Sequence, residues 1–383
     1  MLNPRYTIMD ESARTGRLAA GTLLVALFFF GFAQEAAAEG DWKEDWAKTL
    51  ERAKKEGRLV VHAGPGDGPL YQAFQNKFPE IKVSYIAGHG GERSQRIMSE
   101  RRAGQYLADL YVGGSATMQD VLLKGKILDP VKPLLILPEV VDESKWWGGK
   151  HIYIDNESQY IISFNGITQS YFHHNAKLVD PKEFRSYWDF LNPKWKGKFV
   201  TWEPMASGTD GALRFLYHHP DIGPQFVRRF LTEMDLTPTR DARQFVDWLA
   251  TGRFLLAGLQ SADRSNLYEA KNQGLPVSWF DSRTFKEGAP LSTSSGNLVL
   301  MNRAPHPNAA KVFINWLLSR DGQITYQKTS GDVDSLRTDI PKEGVPPHIR
   351  RTAGVKYVFL TDPAYSDLNS VRNFVTDIWK KRK

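Results

Sequence analysis

The sequence predicts an α/β protein built on a parallel sheet, and three observations carry that expectation. From Leu59 onward, strand-like and helix-like segments alternate with short connections. The loops after the first three strands are rich in glycine: Gly64-Pro-Gly-Asp-Gly68, Gly88-His-Gly-Gly91 and Gly113-Gly-Ser115. A chain of 383 residues, 41% hydrophobic and 12% aromatic, is long and apolar enough to bury a large core in one or two domains.

The elements follow in order. Arg14 and Arg17 precede an apolar run from Leu18 to Ala33, and Ala36-Ala-Ala38 supplies the small residues a signal peptidase reads. The run falls short of the roughly 20 apolar residues of a membrane-spanning helix. Residues 1–38 therefore read as a cleaved secretory signal, with Met1 or Met9 as the start, and the mature chain as soluble and exported to a periplasm. The sequence contains no cysteine, which excludes a lipid-anchored N-terminus and disulfide support alike.

Trp42 to Glu56 has helical spacing and stops at Gly57. Strands are expected at Leu59–Ala63, Ile81–Ile86 and Leu107–Val112, and helices at Tyr71–Lys77, after Gly91 and at Met118–Leu123. Ligands bind beyond the carboxyl ends of such strands, which places Asp67, His89 and Ser115 around one crevice. Trp146-Trp-Gly-Gly149 reads as an exposed turn. A strand at Gln159–Asn165 is expected to open a second unit. That unit continues through a strand at Phe199–Trp202, helices from Gly211 and from Gln225, and a strand at Phe254–Leu259. A strand within Leu291–Met301 returns to the first unit, and a C-terminal helix, Leu368–Trp379, is expected to pack across both.

The segment from Tyr187 to Asp210 ends in a small-residue loop, Met205-Ala-Ser-Gly-Thr-Asp210, that runs into the apolar spacing of Ala212, Phe215 and Leu216. Thr209 or Asp210 is placed to cap that helix. These residues suit an ordinary loop before a helix; they also suit an anion, because free backbone N–H groups meet the positive end of a helix dipole there.

The formal charge of +7 is modest for this length, and basic and acidic residues are interspersed. Neither a basic face nor a nucleic-acid module is recognisable, so no nucleic-acid partner is expected. A secreted hydrolase is the competing class. Against an enzyme stand the missing G-x-S-x-G, the missing H-E-x-x-H and the missing cysteine.

Several motifs together resemble the family of extracellular solute-binding proteins that includes the ferric-ion, thiamine and phosphonate receptors of ABC importers. They are His306-Pro-Asn-Ala-Ala-Lys311, Trp316-Leu-Leu-Ser319, Gly322-Gln323, Trp188-Asp-Phe-Leu191 and Pro193-Lys-Trp-Lys-Gly-Lys198. The resemblance implies a type II periplasmic binding protein fold: two lobes joined by two hinge crossings, closing on a small-molecule ligand held between them. It also implies docking on an inner-membrane ABC permease, as a monomer and with no cofactor. The expected boundaries are 39–157 plus 291–345 for lobe 1 and 158–290 plus 346–383 for lobe 2.

Iron ligation in this family uses a His, a Glu and an adjacent Tyr pair. At the matching positions this chain has Gly66, Gly114 and Ala262-Asp263, so the resemblance implies no metal site. The doublets His173-His174 and His218-His219 read as surface or packing residues. The anion-cradling part is kept, with Ser207, Gly208 and Thr209 matching the family's Ser-Gly turn and Ser115 and Gln260 at its polar partner positions. Arg93, Arg240, Arg243 and Arg264 offer the planar fork that suits carboxylate or phosphate, Arg264 above all. The implied cargo is a small organic anion: a phosphonate, phosphate ester or carboxylate. Thiamine or its phosphates is the alternative, with Trp202, Tyr268 or Trp279 stacking on the ring.

Overall fold

The computed structural model describes residues 41–206, 208–261, 266–365 and 367–381. The expected signal segment and its expected cleavage point lie outside them.

Helix α1 (41–56) ends where Gly57 takes a positive φ of +64° and donates to the Ala53 carbonyl, as the sequence predicts. A seven-stranded sheet follows, made of β1 (Arg58–Ala63), β2 (Lys82–Ala87), β3 (Leu110–Gly113), β4 (Leu128–Asp129), β5 (Ile152–Tyr153), β6 (Ile162–Ser163) and the late strand β14 (Asn297–Met301). Its order is β2-β1-β3-β14-β6-β5, with β4 also pairing β14. β1 is parallel to β2 and β3, whereas β14 runs antiparallel to β3 and β6. α2 (Gly68–Lys77) and α3 (Gly90–Arg102) make the crossovers between the parallel strands, and α4 (Ser115–Thr117) runs on into a π-helical turn, Met118–Leu123.

A five-stranded sheet, ordered β10-β9-β11-β8-β12, forms the second unit. Its strands are β8 (Phe172–Asn175), β9 (Phe199–Trp202), β10 (Thr237–Thr239), β11 (Leu256–Gly258) and β12 (Val277–Trp279). Helices α6 (Asp210–His218), α7 (Gly223–Glu233), α8 (Ala242–Ala250) and α9 (Leu267–Asn272) belong to this unit; α5 (Pro138–Val141), α10 (Pro307–Leu318) and α11 (Arg320–Thr329) belong to the first. A three-stranded sheet, β15-β13-β7, carries the chain between them through β7 (Ile167–Thr168), β13 (Ala289–Ser292) and β15 (Tyr357–Phe359).

Each unit has its own core. Phe74, Phe313 and Trp316 pack together against the seven-stranded sheet, and every residue of α10 from Ala309 to Leu318 except Lys311 is buried. The second core centres on Phe190, stacked on Phe172 at 4.1 Å and tilted against Phe184 at 4.9 Å. Burying one such ring contributes about 1.5–3 kcal/mol.

Four expectations are corrected. Ile162–Ser163, expected to open the second unit, pairs with β14 and β5 inside the first sheet. The third strand starts at Leu110, because Leu107 is exposed and unpaired in the approach to it. Gly148 and Gly149 do form a turn with positive φ, yet Trp146 before them is buried, edge-on to His151 at 5.2 Å. α12 (Leu368–Trp379) packs on α6 and α7 and buries Val371, Val375 and Ile378 in the second core, so it does not bridge the units.

The two crossings are tied together. Phe164 N donates to Gly296 O at 2.9 Å, and Asn165 Nδ2 donates to Thr293 O at 3.1 Å. Asn165 Oδ1 accepts from Asp334 N at 2.8 Å. Buried Asp334 in turn pairs with Lys342 at 2.9 Å and Arg351 at 3.3 Å, and Arg351 Nη1 donates to Gly166 O at 2.8 Å.

Candidate functional site

A cavity of about 1210 Å³ lies between the two units. From the first come Ser115, Gln119 and Asp155; from the second come Tyr171, Gly208, Gly211, Arg214 and Ser261; the hydroxyl run Ser292-Thr293-Ser294-Ser295 and Gln169 come from the crossings. A smaller cavity of about 240 Å³ shares Ile167, Gln169, Ser294 and Ser295 with it and reaches Asp67 and Tyr268.

The N-terminus of α6 faces the larger cavity. Gly208 precedes it with a φ of +103°, a backbone state that favours glycine. Thr209 occupies the N-cap position but does not cap, since its hydroxyl donates backwards to Pro204 O at 3.2 Å and Ala206 O at 3.0 Å. That pins the loop, and among the described residues no side chain at the N-cap position takes up the first amides of α6, which have no intrahelical partner. Gly211 stands in the first turn because a Cβ there would meet Tyr171 Oη at 2.8 Å. One turn on, Arg214 lines the cavity, and its Nε is buried with no hydrogen-bond partner among the described residues. Asp210 beside it is paired with Arg372 at 2.9 Å, which offsets its charge near the helix start. Across the cleft Ser115 opens a helical run after Gly114, whose extended backbone makes no side-chain cap.

Asp155, the buried acid on the first side, is spent on three backbone amides, those of Gln159, Tyr160 and Ile161. Burial pushes the Asp67 carboxyl up from its ordinary value, while the Gly64 backbone and the Arg93 charge draw it the other way. Among the described residues, no group of three or more His, Cys, Asp or Glu is placed to hold a metal ion.

The structure thus brings together part of the set expected from sequence. Ser115 and Gly208 line the larger cavity, and Asp67 the smaller. Ser207 and Arg264 lie outside the described residues, as do Ala262 and Asp263. Thr209 is 1% exposed and lines neither cavity. Gln260 is buried, its carbonyl accepting from His173 Nε2 at 2.7 Å, and the neighbouring Ser261 takes the cavity-facing place. Leu259 before them has a φ of +68°, so the backbone turns sharply at the end of β11.

Arg93 is a correction. It is buried under β3, where Nη1 donates to Val112 O at 2.9 Å and the guanidinium lies 4.2 Å from the Tyr111 ring centroid, and it lines neither cavity. Arg240 and Arg243 are exposed on the outer surface, the latter pairing with Asp247. His89 is an exposed N-cap of α3 rather than a crevice residue. Trp202 packs edge-on to Phe245 away from both cavities, and Trp279 stands behind Tyr268 at 4.6 Å. His173 and His174 are buried on opposite faces of β8, not on the surface, while His219 is buried at the end of α6 with Nε2 bonded to Glu287 O.

Arg214 was not among the sequence candidates. It sits between buried Leu213 and Phe215, so helical spacing puts it at the edge of the apolar stripe, and that spacing was the signal available.

Three comparisons bear on this arrangement. A protein of Haemophilus influenzae described only as uncharacterized is 23% identical over 313 residues, 77% of this chain and 82% of that protein. The Trichodesmium protein IdiA (FutA), solved with iron and citrate, superposes with a TM-score of 0.63 at 18% identity, covering 84% of this chain and 99% of that one. AfuA from Actinobacillus pleuropneumoniae, solved with fructose-6-phosphate, superposes at 0.53 with 19% identity, covering 85% and 99%. At these identities the likeness establishes the fold, the two-lobed type II periplasmic binding protein architecture. The family model of the bacterial extracellular solute-binding proteins matches residues 62–324, more than half of the sequence, and the chain belongs to that family.

Proposed function

We propose that this protein is a periplasmic receptor that captures a small organic anion, a phosphonate, phosphate ester or carboxylate, by lobe closure. It then hands the anion, as a monomer and without a cofactor, to the membrane permease of an ABC importer. The observation that carries this reading is the pairing of Arg214 with the uncapped start of α6 on one wall of the cleft, opposite Ser115. A guanidinium whose Nε is buried and unpartnered among the described residues, beside a helix start that Thr209 does not cap, has a donor to offer an anion. The tied crossings at Asn165 and Gly296 fit a hinge, and closure is favoured only by contacts made in the closed form.

Calorimetry with a panel of alkyl phosphonates, alkyl phosphates and dicarboxylates tests the reading. One class is expected to bind with or without chelator, and Arg214→Gln to weaken it about tenfold to a hundredfold, the worth of one charge-assisted bond. Arg264→Ala, the variant singled out from sequence, is measured beside it. Binding that requires ferric iron, or an indifferent Arg214→Gln, would overturn the proposal. A second reading, thiamine monophosphate, draws support from the Tyr268 ring on the smaller cavity, and the same titration includes it.

A further inference from the structure

The smaller cavity differs in charge from the cleft it opens off. Two carboxylates line it, Asp67 and, at its exposed rim, Asp332; no Lys, Arg or His does so among the described residues. Tyr326 lines it too, 6% exposed, and burial, with the Asp67 charge second, pushes the pKa of its hydroxyl up. Ser330 adds a second hydroxyl, whose Oγ is buried without a partner among the described residues. Tyr268 presents a half-buried ring. The charged neighbour of Asp67 is Arg93, which is engaged with Val112 O and the Tyr111 ring and does not enter the cavity.

An alkylammonium group brings one positive charge and three N–H donors. The Asp67 carboxylate and the Tyr326 and Ser330 hydroxyl oxygens can accept those bonds, and an aromatic ring beside them favours a cation. The cavity meets the cleft at Gln169, Ser294 and Ser295, so one ligand can reach both. Resting on the anion reading of the cleft, we propose that the smaller cavity is an ammonium subsite and that the ligand is an organic anion carrying an amine.

The test compares ω-aminoalkyl phosphates of two to six carbons with n-alkyl and ω-hydroxyalkyl phosphates of the same lengths, by calorimetry on the mature chain. At one length the amine is expected to bind about tenfold to a hundredfold tighter than both neutral counterparts. Asp67→Asn is expected to bring the amine-to-alkyl affinity ratio close to one, and Tyr326→Phe to lower it, with melting curves confirming that both variants fold. Equal binding of amine and alkyl phosphates, hydroxyalkyl phosphates binding as well as amines, or a preference that survives Asp67→Asn would each overturn the ammonium subsite while leaving the anion site standing. If no phosphate of the series binds, the anion reading fails and the subsite with it.

Discussion

His62 gives this protein an acid-sensitive step that the fold itself predicts. It lies on β1 between Ile86 of β2 and Tyr111 of β3, is 0% exposed, and both ring nitrogens are buried without partners among the described residues. Burial pushes its pKa down from 6.5 to about 4; Glu100 pulls it up, and Arg96 and Arg93 push it further down. The sign follows from proton counting. Below its ordinary pKa the unfolded chain takes up a proton that the folded chain refuses until about 4, so the unfolded state binds more protons and stability falls as pH drops through that window. The full loss is on the order of 3 kcal/mol, and about 2 kcal/mol of it should appear between about pH 7 and about pH 4.5. Three other histidines, His151, His174 and His219, are lowered by burial and act in the same direction, whereas half-buried Asp67 and buried Asp109, both raised, act in the opposite one. The comparison must therefore be made against His62→Leu, which removes the titration and two unsatisfied nitrogens at similar volume. Urea unfolding of the ligand-free protein at both pH values is the assay. The variant should match or exceed the wild type near neutrality and lose about 2 kcal/mol less on acidification. An equal acid loss in the two proteins would refute the reasoning.

The remaining predictions concern the hinge, its closure and the mature chain. A Cβ at Gly296 would run into the Cβ of Asn165, so Gly296→Ala should cost about 1–3 kcal/mol, and a melting temperature equal to that of the wild type would count against the tied crossings. Asp334→Ala strips Lys342 and Arg351 of their shared partner and should cost about 3–5 kcal/mol in urea unfolding; a loss below about 1 kcal/mol would show that the network matters little. A probe that binds the cleft should reduce the radius of gyration in solution scattering, and tight binding with no compaction would remove the closure mechanism. Intact mass of the exported protein should begin at Glu39, and a mass retaining earlier residues would contradict cleavage after Ala38.

Much of the local structure was legible in the sequence, because the interactions that make it are short in range. Gly57 ends α1 where helical spacing ends, glycine-rich loops follow β1, β2 and β3, and His306-Pro-Asn-Ala-Ala-Lys311 starts a helix whose apolar residues are buried. The family was equally accessible, since its motifs lie in contiguous stretches now matched by the model over residues 62–324.

Pairing and facing could not be read in the same way. Ser163 finds Asn297, 134 residues away, and with that bond β6 joins the first sheet rather than the second; no local pattern distinguishes the two outcomes. Among the arginines, residue type nominated Arg93, Arg240, Arg243 and Arg264 as anion ligands, and the family resemblance favoured Arg264, beside the position of the Tyr pair. Packing decided otherwise for the three that are described, burying Arg93 under Tyr111, leaving Arg240 and Arg243 in solvent, and turning Arg214 into the cleft. The sequence by itself determined which segments form helices and strands and which family they compose, because periodicity, caps and turns act over a few residues. Tertiary structure alone decided which of several equivalent side chains face the cleft, because a cleft wall is assembled from distant segments whose relative placement is set by the two cores.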